Sequence, residues 1–356
     1  MTLEEYHITY YVLLGIFFVT GGLFQQFKND KNGNIGFAFI IAFILSIFIG
    51  VRDINIGADT HQYYELFNKF SHTSLTDLGE YFKFGGEPFF KLAYKFISIF
   101  FTYEGAKIIS SFTFTILTYI FARYVIKLHG NGSITVFFLC LLASSVSWNE
   151  QVNIIRSGIG IGFLLLFITS FYENPIKLRT ILLALCAVCT HFSTAMFITL
   201  VIISKFINFK NRWYLGIFLC AIILSYLGYS VLSLGIFGDL DFDKAQRYIQ
   251  NIEGTSYKVG FRPTFALYNS FFFIIALILK KYFSGIIDLI FKFYFLASIL
   301  FFFWFTIPYS DRIGAFSWTV IPCIFYPPLA SKFKKNKFIP ISTVIIYGII
   351  SFFIMA

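Results

Sequence analysis

Long apolar runs alternate with short polar turns along almost the whole chain. The runs reach about 18 residues or more, the length that an α-helix needs to cross the hydrocarbon core of a bilayer. The pattern predicts an all-α fold: a polytopic integral membrane helix bundle of about 10–12 transmembrane helices, some of them broken or re-entrant. The predicted spans are 6–24, 35–51, 106–127, 133–149, 155–172, 213–234, 264–283, 286–306, 314–330 and 339–355.

The apolar run 178–204 is too long for one ordinary span. As a single helix it would measure about 40 Å, against a hydrocarbon core of about 30 Å. Lysines flank both ends, and the polar segment Thr190–Ser193 interrupts its middle. We therefore predict a broken helix pair, with two short or tilted helices that meet at His191. One strongly tilted span is the alternative.

The segment 87–102 carries charge on one face only. Glu87, Lys91 and Lys95 recur every fourth residue and therefore share one side of an otherwise apolar helix. This spacing predicts an amphipathic element that lies along the outer interface or packs against the bundle. A full membrane span is the alternative interpretation.

Composition supports a single membrane unit. The chain of 356 residues is 58% hydrophobic and 13% charged, whereas soluble domains are about a quarter charged. No compositional break separates a soluble part, so we treat 1–356 as a single multi-pass membrane domain with outer loops at 52–86 and 235–263. The first ten residues carry Glu4 and Glu5 rather than a basic segment, so no signal peptide is expected.

The net charge of +10 reports topology rather than nucleic-acid binding. More than half of the 28 lysines and arginines fall in six short turns, at 25–34, 123–130, 173–180, 204–213, 280–285 and 331–338. Basic turns of this kind lie on the cytoplasmic side of a membrane. With the broken helix pair at 178–204, both termini are then predicted outside, together with 52–86, 150–156, His191, 235–263 and 307–313.

Five of the eight arginines fall on the outer side, where the positive-inside rule least favours them: Arg52, Arg156, Arg247, Arg262 and Arg312. A guanidinium binds phosphate through a planar fork of donors and stays charged when partly desolvated. Arg156 also begins an apolar helix, whose positive end adds to its field. We predict diphosphate binding by Arg52, Arg156, Arg247 and Arg312. Snorkelling, or pairing of Arg52 with Asp53 and of Arg312 with Asp311, is the alternative.

Three carboxylates and one histidine are candidate catalytic groups. Asp53, Asp59 and Glu87 have the chemistry of a general base or of an acceptor that orients a sugar hydroxyl. Helix capping is the alternative role for Asp59, which precedes a predicted helix. His191, at the break of 178–204, is a candidate base or phosphate donor; an ordinary packed histidine is the alternative.

No residue pattern indicates a metal or another cofactor. The segment 238–243 contains Asp-x-Asp, which we interpret as a solvated acidic loop rather than a metal site, and no ligand spacing typical of zinc is present. Cys186-x-x-Cys189 lies within an apolar run, as do the other three cysteines, and packing is the favoured interpretation.

Several of these residues resemble a known family in their order along the chain. Residues 52–64, with Arg-Asp followed by Gly-x-Asp-Thr-x-x-Tyr, resemble the signature of the EpsG-like, Wzy-type polysaccharide polymerases. Glu87–Phe90 is similar to the family's E-P-x-[FY] segment, and His191–Ser193 matches its H-x-S element. Asn153–Ser157 is similar to its N-x-x-R-Q helix start, with Ser157 in place of the usual Gln, and Asp311–Ile313 matches a late element more loosely.

The resemblance implies a C-type-like glycosyltransferase fold and a polysaccharide polymerase. The missing metal-ligand cluster and the supply of arginine to neutralise a diphosphate predict that it works without a metal, and no cofactor is expected. Donor and acceptor would be undecaprenyl-diphosphate-linked oligosaccharide repeat units, joined into O-antigen, capsule or exopolysaccharide. The site would face the periplasm at the outer leaflet of the bacterial inner membrane, in contact with membrane lipid. A chain-length regulator and a flippase are further expected partners. Thr60, Tyr63 and Tyr64 would contact sugar.

Two other functions remain open at this level. An O-antigen ligase-like transferase would use the same donor with a different acceptor. A flippase or transporter of lipid-linked sugars also needs a cationic cavity, but transporters typically show internal repeats and polar groups near the midplane. No internal repeat is visible here, and the candidate charges gather near one face, which favours the polymerase.

Overall fold

The computed structural model describes residues 1–27, 35–74, 76–77, 79, 87–230, 260–307 and 309–355. Within these ranges the chain is helical and contains no strand. The α-helices are α1 Leu3–Phe27, α2 Ile35–Gly50, α3 Thr60–His72, α4 Pro88–Phe100, α5 Tyr103–His129, α6 Ile134–Leu142, α7 Ser147–Val152, α8 Ile155–Glu173, α9 Leu178–Thr190, α10 Thr194–Ser204, α11 Asn211–Tyr226, α12 Pro263–Leu279, α13 Gly285–Phe302, α14 Ser310–Trp318, α15 Ile321–Lys332 and α16 Phe338–Met355.

Five stretches of the described chain are long and apolar enough to cross a membrane: Tyr103–His129, Ile155–Glu173, Pro263–Tyr282, Gly285–Phe302 and Ser310–Lys332. Shorter apolar helices, among them α2, α9, α10, α11 and α16, accompany them. The predicted all-α, polytopic membrane bundle is confirmed.

Two predicted spans are interrupted. The span predicted at 133–149 is divided into α6 and α7, because serines compete for backbone groups at the break: the Ser147 hydroxyl donates to the Leu141 carbonyl at 2.7 Å. The span predicted at 314–330 consists of α14 and α15. The helix predicted at 213–234 ends at Tyr226 in the structure, and residues 231–234 of the predicted span lie outside the described ranges.

The run 178–204 forms the two helices α9 and α10. His191 follows α9 in an extended conformation, with φ −152° and ψ 113°, and its carbonyl accepts a hydrogen bond from the Thr194 hydroxyl at 2.7 Å. The histidine side chain therefore leaves the chain at a break between helices rather than from a helix face.

Helix α8 packs against α5, α7, α9 and α10, and 83% of its most apolar 18-residue stretch is buried. Glycines make these close approaches sterically allowed. A β-carbon on Gly158 would lie 2.4 Å from the Glu150 carbonyl oxygen, and one on Gly162 would lie 2.9 Å from Leu117. A β-carbon on Gly160 would lie 3.0 Å from the His191 β-carbon. Gly160 thus lets α8, whose second residue is Arg156, approach the break that carries His191.

An aromatic stack joins two parts of the bundle that carry candidate residues. The rings of Phe197 in α10 and Phe316 in α14 lie parallel, with centroids 3.7 Å apart. Because α10 follows His191 and α14 carries Arg312, this contact helps to fix the helix that follows His191 relative to the helix that carries Arg312.

Candidate active site

The loop 52–60 is held by Asn153, which lies between α7 and α8. The Asn153 side-chain oxygen accepts a hydrogen bond from the Ala58 backbone at 2.8 Å. Gly57 makes this approach possible, since its φ is +103° and a β-carbon there would lie 2.7 Å from that same oxygen. Two segments nearly a hundred residues apart in sequence therefore meet at a backbone contact that a larger residue at 57 would block.

The first turns of α5 hold both ends of the same loop. The Lys107 ammonium donates to the Arg52 carbonyl at 2.7 Å, and the Tyr103 hydroxyl donates to the Thr60 carbonyl at 2.9 Å. Lys107 is buried. Neither residue belongs to a motif recognised in the sequence, although a lysine inside a predicted span is itself an indication of a specific role.

Arg52 lies beneath the loop and is only 3% exposed. Its guanidinium donates to the backbone carbonyls of Ile49 at 2.8 Å, Val152 at 3.0 Å and Ile56 at 3.4 Å. These bonds occupy donors that a phosphate would need. The arrangement favours a structural role for Arg52 over the diphosphate contact predicted from its sequence position.

Asp53 is exposed at the loop surface and does not pair with Arg52. Its Oδ1 accepts hydrogen bonds from the backbone and the side-chain amide of Asn55, both at 2.8 Å. The bond from the Asn55 backbone holds the pKa of Asp53 below its ordinary value. Asp53 therefore shapes the turn in which it lies, and its predicted catalytic role stays a prediction.

Glu87 brings two other candidates together. Its Oε1 lies 2.6 Å from His191 Nδ1, and its Oε2 forms an ion pair with Arg156 Nη1. The carboxylate is buried, and the residue has a left-handed backbone, with φ 65° and ψ 46°. Such a conformation is costly for a non-glycine residue and is typical of functional sites. One carboxylate thus joins residues that the sequence places 104 and 69 positions away.

Arg156 is held by Tyr63 as well as by Glu87. Its guanidinium carbon lies 5.6 Å from the centre of the Tyr63 ring, and its backbone N–H donates to the Tyr63 hydroxyl at 3.5 Å. The Arg156 side chain still keeps 36% of its surface exposed. It is therefore oriented by protein contacts and accessible to an anion.

Asp59 lies at the N-cap position of α3, but its side chain makes no capping hydrogen bond. Its Oδ2 accepts instead from Arg312 Nη2 at 2.9 Å. The Arg312 guanidinium also lies over the Tyr309 ring, 4.6 Å from its centre. This second cation–carboxylate pair links the loop 52–60 to α14, and no pattern in the sequence indicates it.

The three residues predicted to contact sugar differ in accessibility. Thr60 is buried and donates to the Ile56 carbonyl at 2.7 Å, and Tyr63 is buried behind Arg156. Tyr64 is 39% exposed and lies edge-on to Tyr103, with ring centroids 5.4 Å apart. Of the three, Tyr64 offers a ring face to a bound sugar.

The remaining candidates fall partly outside the described ranges. Arg247 and the acidic segment 239–243 are among the residues that the structure does not describe. Among those that it does describe, no three histidine, cysteine or carboxylate side chains converge on a position for a metal ion.

The fold and the site together define a class of protein: a polytopic membrane protein with two ionic clusters at its helix ends, one of Glu87, Arg156 and His191 and one of Asp59 and Arg312. A model of the EpsG family matches residues 35–356. The chain therefore belongs to the EpsG family and is a membrane protein of polysaccharide biosynthesis. No curated protein and no solved structure matches it.

The charge state of Glu87 predicts a pH-dependent stability. Burial alone raises the pKa of the Glu87 carboxyl, but the hydrogen bond from His191 and the charge of Arg156 outweigh it and hold that pKa below its ordinary value. A carboxylate with a lowered folded-state pKa stabilises the fold fully above its unfolded-state pKa and progressively less as pH falls through the folded-state value. Glu87→Gln should therefore cost about 2 kcal/mol of unfolding free energy at neutral pH.

The measurement is thermal unfolding of detergent-purified wild type and Glu87→Gln across pH. The gap between their melting temperatures should narrow as pH falls below the ordinary carboxyl value of 4.5. The exposed Glu65→Gln variant controls for the general loss of a negative charge. A gap that persists unchanged into strong acid contradicts the ion-pair interpretation.

The close approach of α8 to His191 predicts an effect of Gly160→Val. The β-carbon positioned 3.0 Å from His191 and 3.1 Å from Thr194 would push the break away from α8 and separate His191 from Glu87. With His191 as the candidate base, we expect a loss of about 10²-fold in activity, because a displacement of about 1 Å at a catalytic group has this effect. Gly216→Val in α11 is the matched control, because its β-carbon would meet nothing within 4 Å. Equal activity of the two variants would contradict the prediction.

Proposed function

We propose that this protein polymerises undecaprenyl-diphosphate-linked oligosaccharide repeat units into surface polysaccharide. The growing glycan is transferred from its lipid diphosphate to the terminal sugar hydroxyl of an incoming lipid-linked unit. The observation that carries the proposal is the shared contact of Glu87 with His191 and Arg156, which combines a proton acceptor and an anion-binding group in one cluster.

His191 acts as the general base on the acceptor hydroxyl. When the Glu87 carboxylate accepts from Nδ1–H, the other ring nitrogen, Nε2, carries the lone pair and takes up a proton. The same contact orients the ring and stabilises the imidazolium that forms, as a carboxylate does in other histidine-based sites. The His191 side chain is 23% exposed, so it can be reached by a sugar hydroxyl.

Arg156 and Arg312 bind the diphosphate. Negative charge grows on the leaving diphosphate as the glycosidic bond breaks, and guanidinium donors stabilise that charge. Two arginines supply this stabilisation without a metal ion. The exposed ring of Tyr64 stacks against a sugar of the bound unit.

The site faces the outer leaflet of the bacterial inner membrane, where flipped lipid-linked units are found. The positive-inside distribution of the basic turns supports this orientation. A flippase that supplies the units and a regulator of chain length are its expected partners.

Deletion of the gene, followed by gel profiling of surface glycan, tests the proposal. A ladder that collapses to one repeat unit supports a polymerase. Loss of every unit from the acceptor indicates a ligase-like transferase instead, and accumulation of lipid-linked units on the cytoplasmic side indicates a flippase.

A further inference from the structure

The Asp59 side chain is engaged in an unusual way for a residue that begins a helix. An aspartate at an N-cap normally accepts a hydrogen bond from a backbone N–H of the first turn, but Asp59 makes none. Its carboxylate contacts Arg312, 253 residues further along the chain. Helix α3 therefore lacks a capping hydrogen bond from Asp59, whose carboxylate pairs with a distant arginine instead.

Arg312 has the features of an anion-binding group, and Asp59 engages one side of its guanidinium. One nitrogen donates to one carboxylate oxygen, whereas a full arginine–oxyanion pair engages two parallel hydrogen bonds. The Tyr309 ring fixes the plane of the guanidinium, and 37% of the Arg312 side chain remains exposed. The fork is thus oriented and accessible.

Tyr309 holds this arrangement at a cost in backbone energy. It is the residue before α14 and has a left-handed backbone with φ 59°, which is unfavourable for tyrosine. Among the described residues only Glu87 shares this non-glycine conformation, and Glu87 anchors the other ionic cluster. Strain of this kind at both clusters is typical of groups placed for binding.

We propose that Asp59 is a displaceable counter-ion, which occupies Arg312 until a substrate diphosphate replaces it. A partly buried guanidinium needs a negative partner, and Asp59 supplies one while the site is empty. A diphosphate carries more charge and engages the fork through two oxygens, so it outcompetes a single carboxylate oxygen. This assignment rests on the proposed function and gives Asp59 a role in binding in place of the role of base.

Binding of farnesyl diphosphate to the purified full-length protein, measured by calorimetry in detergent, tests the assignment without turnover. Asp59→Asn removes the competitor and keeps the shape of the side chain, so it should tighten binding by about tenfold. Arg312→Gln should weaken binding by about tenfold. The double variant should bind as weakly as Arg312→Gln alone, because Asp59 acts through Arg312.

Glu65→Gln on α3 is the matched control, since it removes one exposed negative charge from the same helix. It should change the affinity by less than about twofold. If Glu65→Gln tightens binding as much as Asp59→Asn does, the effect is general electrostatics and the assignment is wrong. It is also wrong if Asp59→Asn binds farnesyl diphosphate like wild type while Arg312→Gln binds it more weakly.

Turnover separates the counter-ion from a catalytic base. With lipid-linked repeat units, Asp59→Asn should lower KM and keep kcat within about tenfold of wild type. A loss of kcat with unchanged affinity for farnesyl diphosphate makes Asp59 the base and overturns the proposal. Wild-type protein that does not bind farnesyl diphosphate at all contradicts the diphosphate donor itself, and with it the proposed function.

Discussion

Replacing His191 with alanine should abolish chain growth. In the proposed mechanism the variant loses the proton acceptor for the sugar hydroxyl, and general-base catalysis contributes about 10²–10⁴-fold to such reactions. His191→Gln should be equally inactive, because glutamine fills similar space and donates hydrogen bonds but does not accept a proton near neutral pH. The measurement is the length distribution of glycan made from purified lipid-linked units, alongside the amount of protein in the membrane.

A neighbouring substitution separates loss of chemistry from loss of structure. Cys186 lies in α9, one turn before its end, and its thiol has no place in the proposed mechanism. Cys186→Ser should therefore retain wild-type chain lengths. Long chains from both His191 variants would exclude His191 as the base and transfer that role to another group.

Arg156→Ala should lower the rate of polymerisation by about 10²-fold, the usual effect of removing one donor from a developing negative charge. Arg156→Lys should recover little of it. An ammonium is a point charge, whereas the guanidinium contacts Glu87 and the Tyr63 ring and still presents donors to a phosphate. Single-turnover rates with saturating lipid-linked donor measure the effect on the chemical step.

Arg179 provides a control, because it is another arginine that lies over a tyrosine ring in the bundle. Its guanidinium lies 4.5 Å from the centre of the Tyr124 ring and donates to the Tyr124 hydroxyl at 2.9 Å. Arg179→Lys therefore disturbs an arginine–tyrosine pair in one of the turns predicted to be cytoplasmic, and it should leave the rate unchanged. Wild-type rates for Arg156→Ala would contradict the diphosphate assignment.

Helix positions were largely predictable, because an apolar run of sufficient length has few alternatives to a helix in a bilayer. The break in the span predicted at 133–149 was not predictable. The Ser147 hydroxyl competes for a backbone carbonyl there, but one serine does not change the apolar character of the run. The break at His191 was visible because it carries polar residues and because one helix would be too long.

Residue types in the site were easier to predict than their partners. Arg52 was expected to bind an anion because it falls on the outer side of the membrane. The backbone carbonyls that accept its hydrogen bonds could not be foreseen, because they have no signature in sequence. The pairing of Asp59 with Arg312 was invisible for a related reason: the two residues lie 253 positions apart, and nothing in the local sequence of either one indicates the other.

The joint contact of Glu87 with His191 and Arg156 has a consequence for protein engineering. These residues come from three separate segments, before α4, at the start of α8 and between α9 and α10. A chimera that takes only one of these segments from another family member combines one residue of the ionic cluster with two partners held by the original chain. Attempts to transfer sugar specificity between such proteins should therefore exchange all three segments together, and vary Tyr64 separately.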